Sequence, residues 1–128
     1  MLPLAHAPAW IAASVLLVAG IVFLSLAPID PDLSLPTNAD KVEHALAYVC
    51  LALWFTGIVA RRQFWKVALG LFALGMSIEF LQAAMPYGRQ GDPWDLLANV
   101  VGIAAGMAIG ARRTGGWALG VEAWLGRS

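Results

Sequence analysis

The chain has 128 residues, of which 60% are hydrophobic and only 12% are charged, and its mean hydropathy is +0.73. A soluble domain carries about 25% charged residues, so this composition excludes an ordinary soluble domain and predicts one compact unit whose solvent is lipid. The formal net charge of +0 provides no basic field that would attract a nucleic acid. The single cysteine, Cys50, excludes an internal disulfide, and its apolar neighbours favour a small buried side chain.

Four apolar segments are long enough to cross a membrane as helices, for which about 20 residues are needed. They cover about residues 9–26, 42–60, 64–85 and 95–111, and Pro28 and Pro86 follow the first and the third. No Lys or Arg precedes Trp10, so we interpret the first segment as an uncleaved anchor rather than a signal peptide. The sequence therefore predicts an all-α membrane protein, built as an antiparallel bundle of four transmembrane helices.

The basic residues predict the orientation of this bundle. Six of them border the link between the second and third segments or lie in the tail: Arg61, Arg62, Lys66, Arg112, Arg113 and Arg127. Only Lys41 and Arg89 border the other two loops. Because cytoplasmic loops are enriched in Lys and Arg, both termini are predicted to be cytoplasmic, with residues 112–128 as a short cytoplasmic or interfacial tail. The apolar residues of that tail have roughly helical spacing, which favours an amphipathic surface helix, with a frayed tail as the alternative.

Polar side chains gather at the helix ends that this topology directs outward. They are Asp40, Lys41, His44, Tyr48, Glu79, Gln82, Arg89, Asp92, Asp95 and Asn99. Residues four positions apart share a helix face, so three helices each present a polar face at the same height. Polar groups at membrane depth are costly, which makes this set a candidate binding site. Glu79 lies about 9 Å inside the end of its helix by helical rise, and Arg89, His44 and Lys41 are its predicted partners.

A purely structural interpretation covers part of this set. Asp40 and Asp95 are suited to cap the helices that they begin. Glycines recur every four residues on the last segment, at Gly102, Gly106 and Gly110, which is typical of close helix packing and also allows a homodimer through that stripe. Capping does not explain Glu79, so the structural alternative there is an ion-pair network that locks the helices together.

Three motifs in order resemble the VanZ-like family of bacterial membrane proteins. Residues 40–48 read DKVEHALAY, Glu79 and Gln82 follow on the third segment, and residues 88–102 read GRQGDPWDLLANVVG. The resemblance covers nearly the whole chain and implies a single VanZ-like transmembrane domain over residues 1–128, in the bacterial inner (cytoplasmic) membrane. The family is named for a protein associated with resistance to the glycopeptide antibiotic teicoplanin, a lipid-tailed molecule that acts at the outer face of a membrane.

Two classes of function follow from these residues. In the first, the outward pocket binds the head group of a lipid, a lipid-linked cell-envelope precursor or an acyl-bearing antibiotic. Arg89 and Lys41 would hold an anionic head group, while Asn99, Gln82 and Tyr48 would donate or accept neutral hydrogen bonds.

In the second class the chain is a small membrane hydrolase or transferase. Its catalytic candidates are His44, Glu79 and Asp95 as acid and base, with Arg89 stabilising negative charge. The sequence offers no recognised nucleophile, and a single histidine among the candidate residues gives little support for a zinc site. We therefore expect no cofactor and no metal. These considerations favour a binding role, with a membrane lipid or amphiphile and no nucleic acid as partner; a structural or partner-binding module is a third alternative.

Overall fold

The computed structural model describes residues 1–27, 39–85 and 92–126. Its helices are α1 (Ala7–Leu26), α2 (Ala39–Ile58), α3 (Phe64–Ala84), α4 (Pro93–Ile109) and α5 (Trp117–Leu125). A short 3-10 turn over Arg61–Gln63 leads into α3, and a π-helical segment over Gly110–Thr114 continues α4. The described parts of the chain contain no strand, so the prediction of an all-helical protein is confirmed.

Three of the helical stretches are long and apolar enough to cross a membrane. They are Ala7–Leu26, Arg61–Ala84 and Pro93–Thr114. Helix α2 is as long as α1, but its first two turns carry Asp40, Lys41, Glu43 and His44, which lower its apolar character. It begins three residues before the predicted segment, so Asp40 and Lys41 belong to the helix rather than to the preceding loop.

Helices α2 and α4 form the most extensive helix pair, and glycine makes their close approach possible. Gly102, Gly106 and Gly110 lie in that order against Ala45, Val49 and Thr56. Because the residue numbers rise in the same order along both helices at these contacts, α2 and α4 are parallel. A Cβ at Gly102 would overlap the carbonyl group of Ala45, so a larger residue there would force the backbones apart. The homodimer through this stripe stays a prediction.

The apolar side chains are largely on the outside of the molecule. Leu16 and Phe23 are each 72% exposed and Phe80 is 76% exposed. The buried polar side chains are Ser14, Thr56, Gln82, Asp95 and Asn99. Such an exterior would be unfavourable in water and suits a lipid environment. Cys50 shares the exterior, so its interpretation as a buried side chain is wrong.

Three tryptophans pack together at one end of the molecule. At this end α1 and α3 begin and α2 and α4 end. The ring centroids of Trp10, Trp54 and Trp117 are 5.4 to 5.8 Å apart in tilted and edge-on pairs. Each indole N–H donates a hydrogen bond: Trp54 to Ser14 Oγ at 2.8 Å, Trp10 to Glu122 Oε1 at 2.9 Å, and Trp117 to the carbonyl of Leu53 at 3.0 Å. We call this group, with Ser14 and Glu122, the tryptophan end.

Glu122 on α5 ties the N-terminal segment to the C-terminal helix. Its carboxylate accepts hydrogen bonds from the backbone N–H groups of Ala5 at 2.7 Å and His6 at 2.8 Å, besides that from Trp10. Burial of the carboxylate raises the pKa of Glu122. The hydrogen-bond donors together lower it by more than burial raises it, so the pKa lies below its ordinary value. Because α5 is helical and held by these bonds, the alternative of a frayed tail is wrong.

Candidate functional site

The opposite end of the molecule, which we call the polar end, is built on the start of α2, the end of α3 and the start of α4. It contains nine of the ten predicted site residues: Asp40, Lys41, His44, Tyr48, Glu79, Gln82, Asp92, Asp95 and Asn99. The tenth, Arg89, lies outside the described residues. Helix periodicity explains the gathering, because these residues fall on the faces of α2, α3 and α4 that pack together.

Lys41 links the first turn of α2 to the start of α4. Its ammonium lies 3.1 Å from Asp92 Oδ2, 3.4 Å from Asp95 Oδ1 and 3.7 Å from Asp40 Oδ2. Lys41 was predicted to partner Glu79 and to hold an anionic head group; in the structure it neutralises carboxylates of α2 and α4.

Asp92 is the N-cap of α4. Its Oδ1 accepts a hydrogen bond from the backbone N–H of Trp94 at 2.9 Å, and Pro93 begins the helix, where a missing N–H costs nothing. The Trp94 N–H and then Lys41 lower the pKa of Asp92 below its ordinary value. The predicted cap, Asp95, lies one turn further in and is 5% exposed, so capping does not account for its position.

Glu79 points toward the helix bundle and not toward lipid. Its Oε2 accepts a hydrogen bond from the backbone N–H of Asp92 at 2.9 Å. Its other oxygen, Oε1, is buried and has no hydrogen-bond partner in the described part of the chain. An unsatisfied buried carboxylate oxygen is costly, so this atom requires a donor or a cation.

His44 is held by Asn99 and faces Asp95. Its Nδ1 lies 3.0 Å from Asn99 Oδ1, and an oxygen acceptor there selects the tautomer that carries the proton on Nδ1. The other nitrogen, Nε2, lies 3.9 Å from Asp95 Oδ2. In this tautomer the lone pair of Nε2 points toward a carboxylate, and the separation is too long for a hydrogen bond.

Two more buried polar groups meet beside this pair. Tyr48 is 2% exposed and Asn99 1% exposed, yet Tyr48 Oη and Asn99 Nδ2 have no partner among the described residues. Both lie against Gly75, where an added Cβ would be 3.0 Å from Asn99 Nδ2 and 3.3 Å from Tyr48 Oη. Gly75 is one turn before Glu79 on the same face of α3, so these groups and Glu79 line a common space.

Gln82 closes the polar end toward α1. It is 2% exposed and donates a hydrogen bond to the carbonyl oxygen of Ser25 at 2.8 Å. Ser25 lies in the last turn of α1, where a carbonyl has no partner within its own helix. Gln82 therefore contributes to assembly by joining α1 to α3.

A cavity of about 380 Å³ opens beside the polar end, between α1 and α2. Its polar lining comes from Ser25, Glu43, His44 and Tyr48, and its apolar lining from Ile21, Leu24 and Ala47. Glu43, Ser25 and Gly75 were not predicted as site residues. The face shared by Glu43 and Ala47 was readable from the sequence, but the proximity of α1 was not.

One subset of the polar end has the composition of a metal site. His44, Glu79 and Asp95 each offer one ligand atom, and the three atoms lie within 4.8 Å of one another. One imidazole and two carboxylates form a donor set that zinc and similar divalent cations accept. Their convergence from α2, α3 and α4 was not apparent from one local histidine in the sequence.

Comparison with known proteins identifies a family relationship. The family model described as VanZ/LLP1 matches residues 10–112 of this chain. No curated protein and no solved structure matches the chain significantly. The matched region contains α1 from Trp10 onward, the whole of α2, α3 and α4, and the polar end.

Proposed function

The chain belongs to the VanZ/LLP1 family, and on that premise we propose that it is a membrane protein whose polar end binds the head group of a membrane amphiphile. The observation that carries the proposal is the cavity between α1 and α2. Polar groups of His44, Tyr48 and Glu43 line one part of it, and Ile21 and Leu24 line another. A ligand with a polar head and an acyl tail has the same division of chemistry.

We place this site at the outer face of the bacterial inner membrane, with α2 as a fourth span and both termini cytoplasmic. Helix α2 contacts α1, α3 and α4, and its side chains His44 and Tyr48 are turned toward these neighbours, at 11% and 2% exposure. Arg61, Arg62, Arg112 and Arg113 lie at the tryptophan end, which supports a cytoplasmic position for that end.

The contacts of Lys41 refine the ligand class. Because Lys41 already faces three carboxylates, it supplies little free positive charge to an anionic head group. In the cavity lining, Tyr48 Oη instead offers a neutral hydrogen-bonding group that protein atoms of the described chain do not use. We therefore favour head groups rich in hydroxyl or amide groups, as in glycolipids, lipid-linked envelope precursors and lipid-tailed glycopeptides.

Native mass spectrometry of the purified full chain tests this proposal. The protein is exchanged into a mixture of phosphatidylglycerol, phosphatidylethanolamine and a glycolipid, and the retained lipid is measured. We expect one glycolipid to remain bound, and we expect Ala47→Leu, which adds volume inside the cavity, to reduce retention at least tenfold.

The matched control is Ala105→Leu, which makes the same change at an exposed position of α4. It is expected to retain the lipid as the unmodified chain does. Equal retention by Ala47→Leu and Ala105→Leu, or no retention by the unmodified protein, would contradict the proposed site.

A small membrane enzyme is the second candidate, supported by the approach of His44 to Asp95 and Glu79. A histidine beside carboxylates is suited to transfer protons in the hydrolysis of a head group. Assay of the purified chain on lipid phosphates discriminates the two. Turnover that is lost in both His44→Ala and Glu79→Gln supports the enzyme, and turnover that survives both changes excludes this mechanism.

A further inference from the structure

We propose that His44, Glu79 and Asp95 bind one divalent transition-metal cation, such as Zn²⁺, between α2, α3 and α4. This goes beyond head-group binding and differs from the sequence-based expectation of no metal. Of the three proposed ligands only His44 lines the cavity, and Tyr48, which lies beside the ligands, lines it as well. Failure of either proposal therefore leaves the other open to its own test.

Each proposed ligand has one polar atom in contact with a protein partner and a second polar atom left for the cation. His44 Nδ1 contacts Asn99 Oδ1, which leaves Nε2 with its lone pair. Asp95 Oδ1 lies 3.4 Å from Lys41, which leaves Oδ2. Glu79 Oε2 accepts from Asp92 N–H, which leaves the buried, unpartnered Oε1.

The distances between the proposed ligand atoms also suit a single ion. Two ligands on one tetrahedral zinc ion are about 3.4 Å apart when each metal–ligand bond is about 2.1 Å. His44 Nε2 and Asp95 Oδ2 are 3.9 Å apart, and all three groups offer ligand atoms within 4.8 Å. Small side-chain rotations are enough to close the set around one ion. Direct contact between Nε2 and a carboxylate oxygen would instead need a second proton on the imidazole.

Neighbouring polar groups orient the proposed ligands. A metal-binding histidine usually donates its other N–H to an oxygen, which fixes its tautomer and ring orientation, and Asn99 Oδ1 occupies that position. Tyr48 Oη and Asn99 Nδ2 are more than nine-tenths buried, have no described partner and lie against Gly75, one turn before Glu79 on α3. These donors are suited to an oxygen atom held at a remaining coordination position of the ion.

The negative charge of the polar end also favours a bound cation. The described groups that face this region are Asp40, Lys41 and His44 from α2, Glu79 from α3, and Asp92 and Asp95 from α4. Four carboxylates and one ammonium leave three negative charges when His44 is neutral. The side chains of Asp40 and Asp92 are 50% and 36% exposed, whereas that of Asp95 is 7% exposed. An excess of negative charge beside a membrane is costly, and a divalent cation reduces it to one.

The test is a cation titration of the full chain in detergent, after treatment with a chelator. Zn²⁺ binding is measured by calorimetry, and Co²⁺ is titrated in parallel because its visible absorption reports the coordination number. We expect one equivalent of cation, a four- or five-coordinate Co²⁺ spectrum, and a higher melting temperature in Zn²⁺.

Matched variants assign the ligands. Glu79→Gln and His44→Gln are expected to weaken Zn²⁺ binding at least 100-fold, and Asn99→Leu about 10- to 100-fold through loss of orientation. The control His6→Gln changes an exposed histidine at the opposite end of the molecule and is expected to bind Zn²⁺ as the unmodified chain does.

Two results would overturn the cation site. One is the absence of stoichiometric binding and of any Zn²⁺-dependent rise in the melting temperature of the unmodified chain, a measurement that needs no variant. The other is a folded Glu79→Gln protein that binds Zn²⁺ as tightly as His6→Gln does.

Discussion

The two ends of this molecule are both rich in polar contacts, but they differ in how completely those contacts are satisfied. At the tryptophan end the indole N–H groups of Trp10, Trp54 and Trp117 all have acceptors, and Glu122 accepts three hydrogen bonds. At the polar end Tyr48 Oη, Glu79 Oε1 and Asn99 Nδ2 are buried without a partner in the described chain.

This difference distinguishes an end that stabilises the fold from an end with unused hydrogen-bonding groups. Buried polar groups that satisfy one another rigidify a structure, whereas unpartnered ones lower its stability unless another molecule completes them. The tryptophan end therefore stabilises the fold by joining the N-terminal segment, α2 and α5. The polar end keeps hydrogen-bonding capacity that a ligand can use.

The largest expected effect comes from removing the centre of the tryptophan end. Trp117→Ala loses two ring contacts and the hydrogen bond to Leu53, and we expect it to lower the free energy of unfolding by about 3 kcal/mol. Thermal unfolding in detergent, followed by circular dichroism, measures this. Trp65→Ala is the control because Trp65 is 63% exposed, and an equal loss in both variants would show that the cluster has no special role.

A second, smaller effect tests how tightly this end is packed. A Cβ at Gly57 would overlap the ring of Trp117, so Gly57→Ala should lower the free energy of unfolding by about 1–3 kcal/mol. Gly70→Ala is the matched control, since a Cβ there meets nothing within 4 Å, and helix propensity should make it neutral or stabilising by up to about 1 kcal/mol. Chemical unfolding of both variants gives the comparison, and the reverse order would refute this description of the packing.

Acid should weaken the tryptophan end through Glu122. Its folded-state pKa is lower than the ordinary value of 4.5, so its contribution is present above pH 4.5 and is lost as the pH falls through the lower folded-state value. We expect the melting temperature to fall below pH 4.5, and tryptophan fluorescence to follow this loss.

The control for this pH effect is Glu122→Gln. It should be less stable than the unmodified chain at pH 7 and should lose less of its stability between pH 7 and pH 4. If both proteins respond equally to acid, Glu122 is not the group responsible.

The smallest effect on stability is expected at the polar end. Tyr48→Phe removes a hydroxyl that has no partner in the described chain, so the free energy of unfolding should change by no more than about 0.5 kcal/mol. Thr56→Val removes a buried hydroxyl that donates to the Ala52 carbonyl at 2.8 Å, and it should cost about 1 kcal/mol. Urea unfolding of the two variants compares them directly, and a greater loss in Tyr48→Phe would show that its hydroxyl has a structural partner.

Much of the polar end could be predicted because helix geometry links sequence spacing to a shared face. The spacing of Asp40, His44 and Tyr48 indicated one face of α2, and Glu79 with Gln82 indicated one face of α3. The roles of individual residues were harder to predict. Asp92 rather than Asp95 caps α4, and Lys41 faces Asp92 and Asp95, because these assignments depend on where neighbouring helices place their ends.

The helical, apolar character of the chain and the separation of its polar cluster from most of its basic residues follow from composition and spacing, which are local properties of the sequence. Which buried atoms remain unpaired depends on how the helices pack together. The candidate ligand atoms of His44, Glu79 and Asp95 come from three helices, and their approach depends on the close α2–α4 packing that Gly102 and Gly106 permit. Distances across helices follow from packing of the whole chain, and spacing along one helix does not contain them.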